Sequence, residues 1–175
     1  MKLPAFSYYD VQSLVYANNT VLYSIFTDEL ITAIFWEESL FNNVRQPGGS
    51  AVGLGQVEPA ELSKLRQYGV YVDAQSILAD PAQAVVATSY MLYHSYQTQT
   101  GNKSKAEALK RYAGYYYDKA SWRTKLISGW EACERALISI ADPKSGHPTE
   151  VLNALSHARH FAKTDARYTK ILFPA

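Results

Sequence analysis

The sequence predicts an all-α domain, on three observations. Apolar residues recur at a period near 3.6 through most of the chain, sustained two-residue alternation is absent, and the places where the period lapses carry residues that cap or break helices. At 175 residues the chain reads as one domain spanning 1–175, large enough to bury roughly two thirds of the surface its unfolded form exposes.

The first helix covers "YYDVQSLVYA" and ends at Asn18, Asn19 and Thr20. The second, "TDELITAIFWEESLF", starts at Thr27, with Asp28 and Glu29 in the first turn, where carboxylates suit the orphan N–H groups and the macrodipole. Residues 44–58 form a loop, because Pro47, Gly48, Gly49, Gly53 and Gly55 would each weaken a long helix. Pro59 then opens a helix over "PAELSKLRQ". "YGVYVD" is the one strand-like fragment, too short to found a sheet, and reads as a connection. "DPAQAVVATSYMLYHSYQTQ" is a helix with Asp80 as cap and Pro81 in its first turn, stopped by Gly101 and Asn102. Helices from near Lys103 to Tyr112, from near Lys119 to Ile140, and after Pro148 complete the outline. No repeat or linker interrupts it, and "ADPKSGHP" has the length of an ordinary connection.

Composition narrows the function. With 47% hydrophobic and 19% charged residues and a net charge of +1, the chain lacks the basic footprint of a nucleic-acid binder or a polybasic membrane arm. "MKLPAFSYYD" has no apolar core of signal-peptide length, and no segment approaches the roughly 18 uncharged apolar residues of a membrane span. The expectation is a product made in the cytoplasm without a signal peptide. Cys133 is alone, so no internal disulfide can form, and it reads as a buried, inert thiol. His157 and His160 lie one turn apart with His147 as a conceivable third ligand, but no carboxylate or cysteine completes the spacing; no metal or other cofactor is expected.

The chemistry concentrates in "FWEESLFNNVRQPGGSAVGLGQVEP", residues 35–59. Adjacent helical residues point about 100° apart, which predicts that Glu37 and Glu38 do not both face one site. Periodicity does not choose between them, because the helix is apolar on nearly every side. One carboxyl therefore faces a partly dry environment that would keep it protonated near neutral pH, as a general acid needs. The bland alternative is that both end the helix in solvent.

Glu38, Ser39, Phe41, Asn42, Ala51, Gly53, Leu54, Gln56 and Pro59 resemble the motif of lytic transglycosylases and goose-type lysozymes, E-S-x-F-[ND] followed by G-A-x-G-L-M-Q and a proline three residues on. Nine positions agree over 22 residues without an insertion, which makes the resemblance specific. Upstream, "TDELITAIFWEES" is similar to the family's acid-bearing helix; downstream, "ILADPAQAVVATSYML" and "ALKRYAGYYYD" are similar to later helices, so residues from about 27 to 138 are covered. The N-terminal helix and a C-terminal extension would pack on that core. Departures are Ser50 for a glycine, Gly55 for the methionine, Pro47 for a frequent serine and Ala113 for an asparagine.

The resemblance implies a lysozyme-like fold with a groove for peptidoglycan, the glycan of alternating N-acetylglucosamine and N-acetylmuramic acid. It implies Glu38 as the catalytic acid, with Ser39, Ser50, Gly53, Leu54, Gln56, Tyr112 and Tyr115 binding substrate. Glycosidic cleavage usually takes two carboxylates, yet none lies between Ser39 and Val57, and no motif places Glu58, Glu61, Asp73 or Asp118 at the cleft. That favours a single-acid lytic transglycosylase over a muramidase that hydrolyses the same bond; a third reading is a silent peptidoglycan-binding module. The remaining tyrosines of the run Tyr115 to Tyr117 read as core or rim, and Glu37 as a surface charge or a partner of the acid. A monomer is expected, reaching the periplasm through a secretion system or a holin, with a cognate immunity protein if it is an injected effector.

Overall fold

A computed structural model describes residues 2–114, 120–140 and 147–175. It is helical throughout: α1 (Tyr8–Asn18), α2 (Asp28–Ser39), a 3-10 segment (Pro59–Tyr68), α3 (Ala74–Ala79), α4 (Pro81–Gln97), α5 (Lys105–Ala113), α6 (Ala120–Ile138), α7 (Pro148–Ala158) and α8 (Ala166–Leu172). Among the described residues no β-structure extends beyond isolated bridges.

The starts follow the caps in the sequence. Ser7, Thr27, Ser104 and Asp165 each accept a backbone N–H of the first turn, and Asp80 does so ahead of Pro81. Three expectations are corrected. Pro59–Tyr68 is a 3-10 helix, and its buried Leu62 and Leu65 stand three residues apart, the spacing that lines one face at three residues per turn. Ala74–Ala79 is an additional helix, started by a reciprocal capping box between Asp73 and Ser76. The segment after Pro148 is two helices, the second restarted by Asp165.

Helix α2 is the axis of the domain. Leu30 to Trp36 are buried without a break, because α1, α4, α6 and α7 all pack against it. This explains why its sequence shows no polar face. Its start is tied to two other helices: Thr27 Oγ1 donates to Glu134 Oε2 at 2.5 Å, and Lys105 Nζ donates to the same buried carboxylate at 2.9 Å. Its far end is held by aromatic rings, with Trp36 5.0 Å from both Phe41 and Phe161 and 6.3 Å from Tyr168.

The helix stops abruptly. Leu40 and Phe41 both take left-handed backbone, φ 52° and 56°, a conformation that costs side-chain-bearing residues about 1–3 kcal/mol each and persists only where the surroundings impose it. Here Ser39 Oγ donates to Phe35 O at 3.0 Å and accepts from Asn42 N at 3.2 Å, while Asn42 Nδ2 lies within 3.1 Å of the Leu3, Ser39 and Leu40 carbonyls. The Ser39 and Asn42 positions of the motif thus turn the chain out of α2 immediately after Glu38.

Candidate active site

Glu38 lies in the last turn of α2 and faces a cleft with two arms that meet at Glu38, Gln56, Glu58, Tyr112 and Gly114. The larger arm, about 710 Å³, is also lined by Ala51, Pro47, Trp122, Arg159 and Lys2. The smaller, about 450 Å³, is also lined by Gly55, Glu61, Lys64, Met91 and Arg111. Glu38 is therefore at a midpoint, with open groove on both sides. A separate hollow of about 420 Å³ between α1 and α2 carries none of the motif residues.

The Glu38 carboxyl is pushed well above its ordinary value of 4.5, by burial first, then by the Glu37 charge and a hydrogen bond with Glu37; Arg159 opposes this. Glu37 is also raised by burial, while Glu38, Arg159 and Trp130 pull it down. The sign is that of a pair in which Glu38 keeps the proton and Glu37 carries the charge. Of the two readings of Glu37, the solvated surface charge is corrected and the partner of the acid agrees with the structure: one carboxylate oxygen is buried, and neither that atom nor the buried Trp130 Nε1 completes a hydrogen bond of ordinary geometry, although the indole lies close enough to lower the Glu37 pKa. Glu37 does not line the cleft itself.

Arg159, just past α7, donates from Nη1 to Glu37 O at 2.8 Å and so satisfies one of the orphan carbonyls where α2 ends. Opposite shifts follow for two variants. If protonated Glu38 limits the rate, removing the Glu37 charge in Glu37→Gln lowers the Glu38 pKa and moves the alkaline limb of the pH–rate profile to lower pH. Arg159→Gln removes the opposing charge and moves that limb to higher pH. Initial rates from pH 4 to 9 check both directions.

The loop after α2 places Gln56. Val52 and Val57 exchange two backbone hydrogen bonds at 2.9 and 3.0 Å, Gln46 N bonds Ala51 O at 2.7 Å, and Gly53 N bonds Val44 O at 3.0 Å. Gln56, itself left-handed at φ 47°, donates Nε2 to Val44 O at 2.9 Å and Gly53 O at 2.8 Å. Its amide nitrogen holds the loop, which leaves Oε1 as the atom offered to a ligand.

Tyr112 on α5 meets this loop from the other side. Its hydroxyl donates to Gly55 O at 3.1 Å and lies 3.4 Å from Thr88 Oγ1, and burial followed by the Glu38 charge pushes its pKa up. Gly55 is what allows the approach. A Cβ there would fall 2.2 Å from Thr88 Oγ1 and 2.9 Å from the Tyr112 hydroxyl, so Thr88 and Tyr112 fill the space that the family methionine would claim.

The structure thus brings Glu38, Ser39, Gln56 and Tyr112 to one cleft, with the Ser39 hydroxyl engaged in the helix end. Ser50, Gly53 and Leu54 are not on its lining. Ser50 Oγ donates to Glu58 Oε2 at 2.5 Å, Gly53 is a left-handed turn at φ 84°, and Leu54 is fully buried. Tyr115, the rest of the run to Tyr117, and Asp118 lie outside the described residues.

Several cleft residues have no counterpart among those expected from the sequence, Lys2 and Trp122 among them. Glu58 and Glu61 line it although no motif placed them there, and Arg159 arrives from beyond the motif region. The spacing of Gln56, Glu58 and Glu61 on the chain was the available signal for the carboxylates; for Arg159 there was none. His160 lies past the end of α7 and His157 on it, both exposed. Among the described residues no His, Cys, Asp and Glu cluster could hold a metal, and no helix is long and apolar enough to cross a membrane.

An all-α domain without strands among the described residues, with an open groove along one side, fits a lysozyme-like fold. The family described as the Transglycosylase SLT domain matches residues 23–125, more than half of the chain, and the chain belongs to that family. The membership supports a lytic-transglycosylase type of function on cell-wall peptidoglycan. Neither the curated proteins nor the solved structures compared with the chain gave a match.

Proposed function

We propose that the protein is a peptidoglycan lytic transglycosylase that cleaves the β-1,4 bond between N-acetylmuramic acid and N-acetylglucosamine with Glu38 as its one acid and base. The observation that carries the reading is the proton-retaining Glu38 carboxyl at the junction of the two arms of the cleft. Glu38 protonates the glycosidic oxygen as the bond to the anomeric carbon breaks, and the acetamido group of the same sugar stabilises the positive charge left there. The 6-hydroxyl of that ring attacks the anomeric carbon, its proton returns to Glu38, and a 1,6-anhydro end forms without water. Tethering of the nucleophile to the reacting ring leaves positioning as the main requirement, which the Gln56 oxygen and the cleft walls supply.

Glu58 gives a specific reason to keep the hydrolytic reading second. It is a carboxylate that, like Glu38, lines both arms, and a hydrolytic route needs such a second carboxylate to serve as base for water. Digestion of purified peptidoglycan followed by mass analysis separates the two: anhydro ends are the expected result, whereas reducing ends that disappear in Glu58→Gln would establish a muramidase. Absence of any fragments would leave a binding module.

The route we propose to the wall is injection by a secretion system, with an immunity protein occupying the groove; its support is the extension α7 and α8, which adds Arg159 to the cleft wall. Gene neighbourhood checks it, since an adjacent periplasmic inhibitor supports injection and holin or tail genes support phage release.

A further inference from the structure

The larger arm of the cleft carries two cations that the family match does not include. Lys2 is held there by the N-terminal segment, whose backbone is fixed by Tyr168 Oη donating to Lys2 O at 3.0 Å and Asn42 Nδ2 to Leu3 O at 3.1 Å. Arg159 is held by its 2.8 Å bond to Glu37 O, which uses one of five guanidinium N–H groups. Among the described residues neither forms an ion pair. The opposite arm differs: its Lys64 pairs with Glu61 and its Arg111 with Glu107. The two carboxylates on the larger arm are Glu38, which holds its proton, and Glu58, which accepts from Ser50. Trp122 lines the same arm, half exposed at 54%, with a flat apolar face of the kind that stacks on a sugar ring. One arm is therefore laced by ion pairs, while the other carries two cations outside any described ion pair, of which Arg159 also lies near enough to Glu37 to lower its pKa, together with an exposed indole.

We propose that the larger arm is a subsite for a carboxylate on the glycan strand, with Arg159 as its reader and Lys2 as the second positive charge. This rests on the peptidoglycan reading of the cleft. Two substrate groups share the required chemistry: a carboxylate of the stem peptide, and the lactyl carboxylate of a muramoyl residue that has lost its peptide. A fork of N–H donors beside a second cation binds either through charge-assisted hydrogen bonds.

The test measures the affinity of the full-length Glu38→Gln protein for three soluble strands of equal length: peptide-bearing, peptide-stripped, and a polymer of N-acetylglucosamine alone, which has no carboxylate. At least one carboxylate-bearing strand is expected to bind about ten-fold more tightly than the uncharged one, the scale of one charge-assisted hydrogen bond. Whichever of the two is preferred identifies the source of the carboxylate. Adding Arg159→Gln is expected to erase the preference, Lys2→Gln to reduce it, and Arg159→Lys to keep part of it. Equal affinity for all three strands, or an Arg159→Gln loss by the same factor on each, overturns the subsite while leaving the groove intact. Failure of every strand to bind, together with no fragments released by the unmodified protein, overturns the peptidoglycan reading and the subsite with it.

Discussion

Glu38→Gln is expected to reduce release of anhydro-terminated fragments by about 10²–10⁴-fold, the range that a positioned general acid contributes. The amide keeps the size and burial of the side chain but can neither give a proton to the glycosidic oxygen nor take one back. Glu37→Gln provides the contrast, since it retains Glu38 and is expected to change mainly the pH at which activity fades. If Glu37→Gln were the inactive variant and Glu38→Gln retained turnover, the acid would be misassigned. Loss of the fold is excluded by a second measurement. The Glu38 pKa is raised by folding, so the stability this carboxyl allows is fully present below the unfolded value near 4.5 and is lost as pH rises through the folded value. Glutamine has no such loss. Chemical denaturation at neutral pH should find Glu38→Gln no less stable than the parent, with the difference closing in acid.

Gly53→Ala is expected to lower stability by about 2–4 kcal/mol, from roughly 1 kcal/mol of left-handed backbone strain plus the overpacking of one methyl group. The added Cβ would fall 2.6 Å from Ile77 Cγ2 and 3.3 Å from both Ala84 Cβ and Asn43 Oδ1. Ile77 is fully buried on α3, and its carbonyl is fixed by Asn43 Nδ2 at 2.7 Å, so the neighbour has little room to yield. The same turn supplies the carbonyl that Gln56 Nε2 grips, and the substitution should therefore cost activity even where the protein remains folded. A denaturant midpoint close to that of the parent would show that the turn can relax. By the same logic Gly48, which has nothing near its missing Cβ, should pay only the backbone component when replaced by alanine.

Helix starts were legible at Thr27 and Asp80, where a capping side chain precedes a long apolar run, but not at Asp73 and Asp165, whose caps open helices of six and seven residues. Helix type and interruption were not. A three-residue apolar spacing over Leu62 and Leu65 was read with a period of 3.6, and the six residues of α3 are too few for any period to declare itself. The motif located Glu38, Gln56 and Tyr112 together at the cleft. It also drew in Gly53 and Leu54, whose part in the geometry is to form and bury the turn. Glu37 and Glu38 diverge at Cβ, as adjacent helical residues must, but two long side chains in the last turn of a helix can bring their carboxyls together. Contacts between distant parts of the chain, such as Arg159 with Glu37 O, leave no local trace.

The ring stack around Trp36 has a consequence for how the chain can be divided. Phe161 and Tyr168 cover that indole, Trp130 lies against Tyr112, and all three covering residues fall beyond the segment 23–125 that matches the family. A fragment cut to the matched borders would present the underside of α2 to water. The segment recognisable by descent is thus smaller than the packed core, and an excised piece is expected to need the last helix to stay folded.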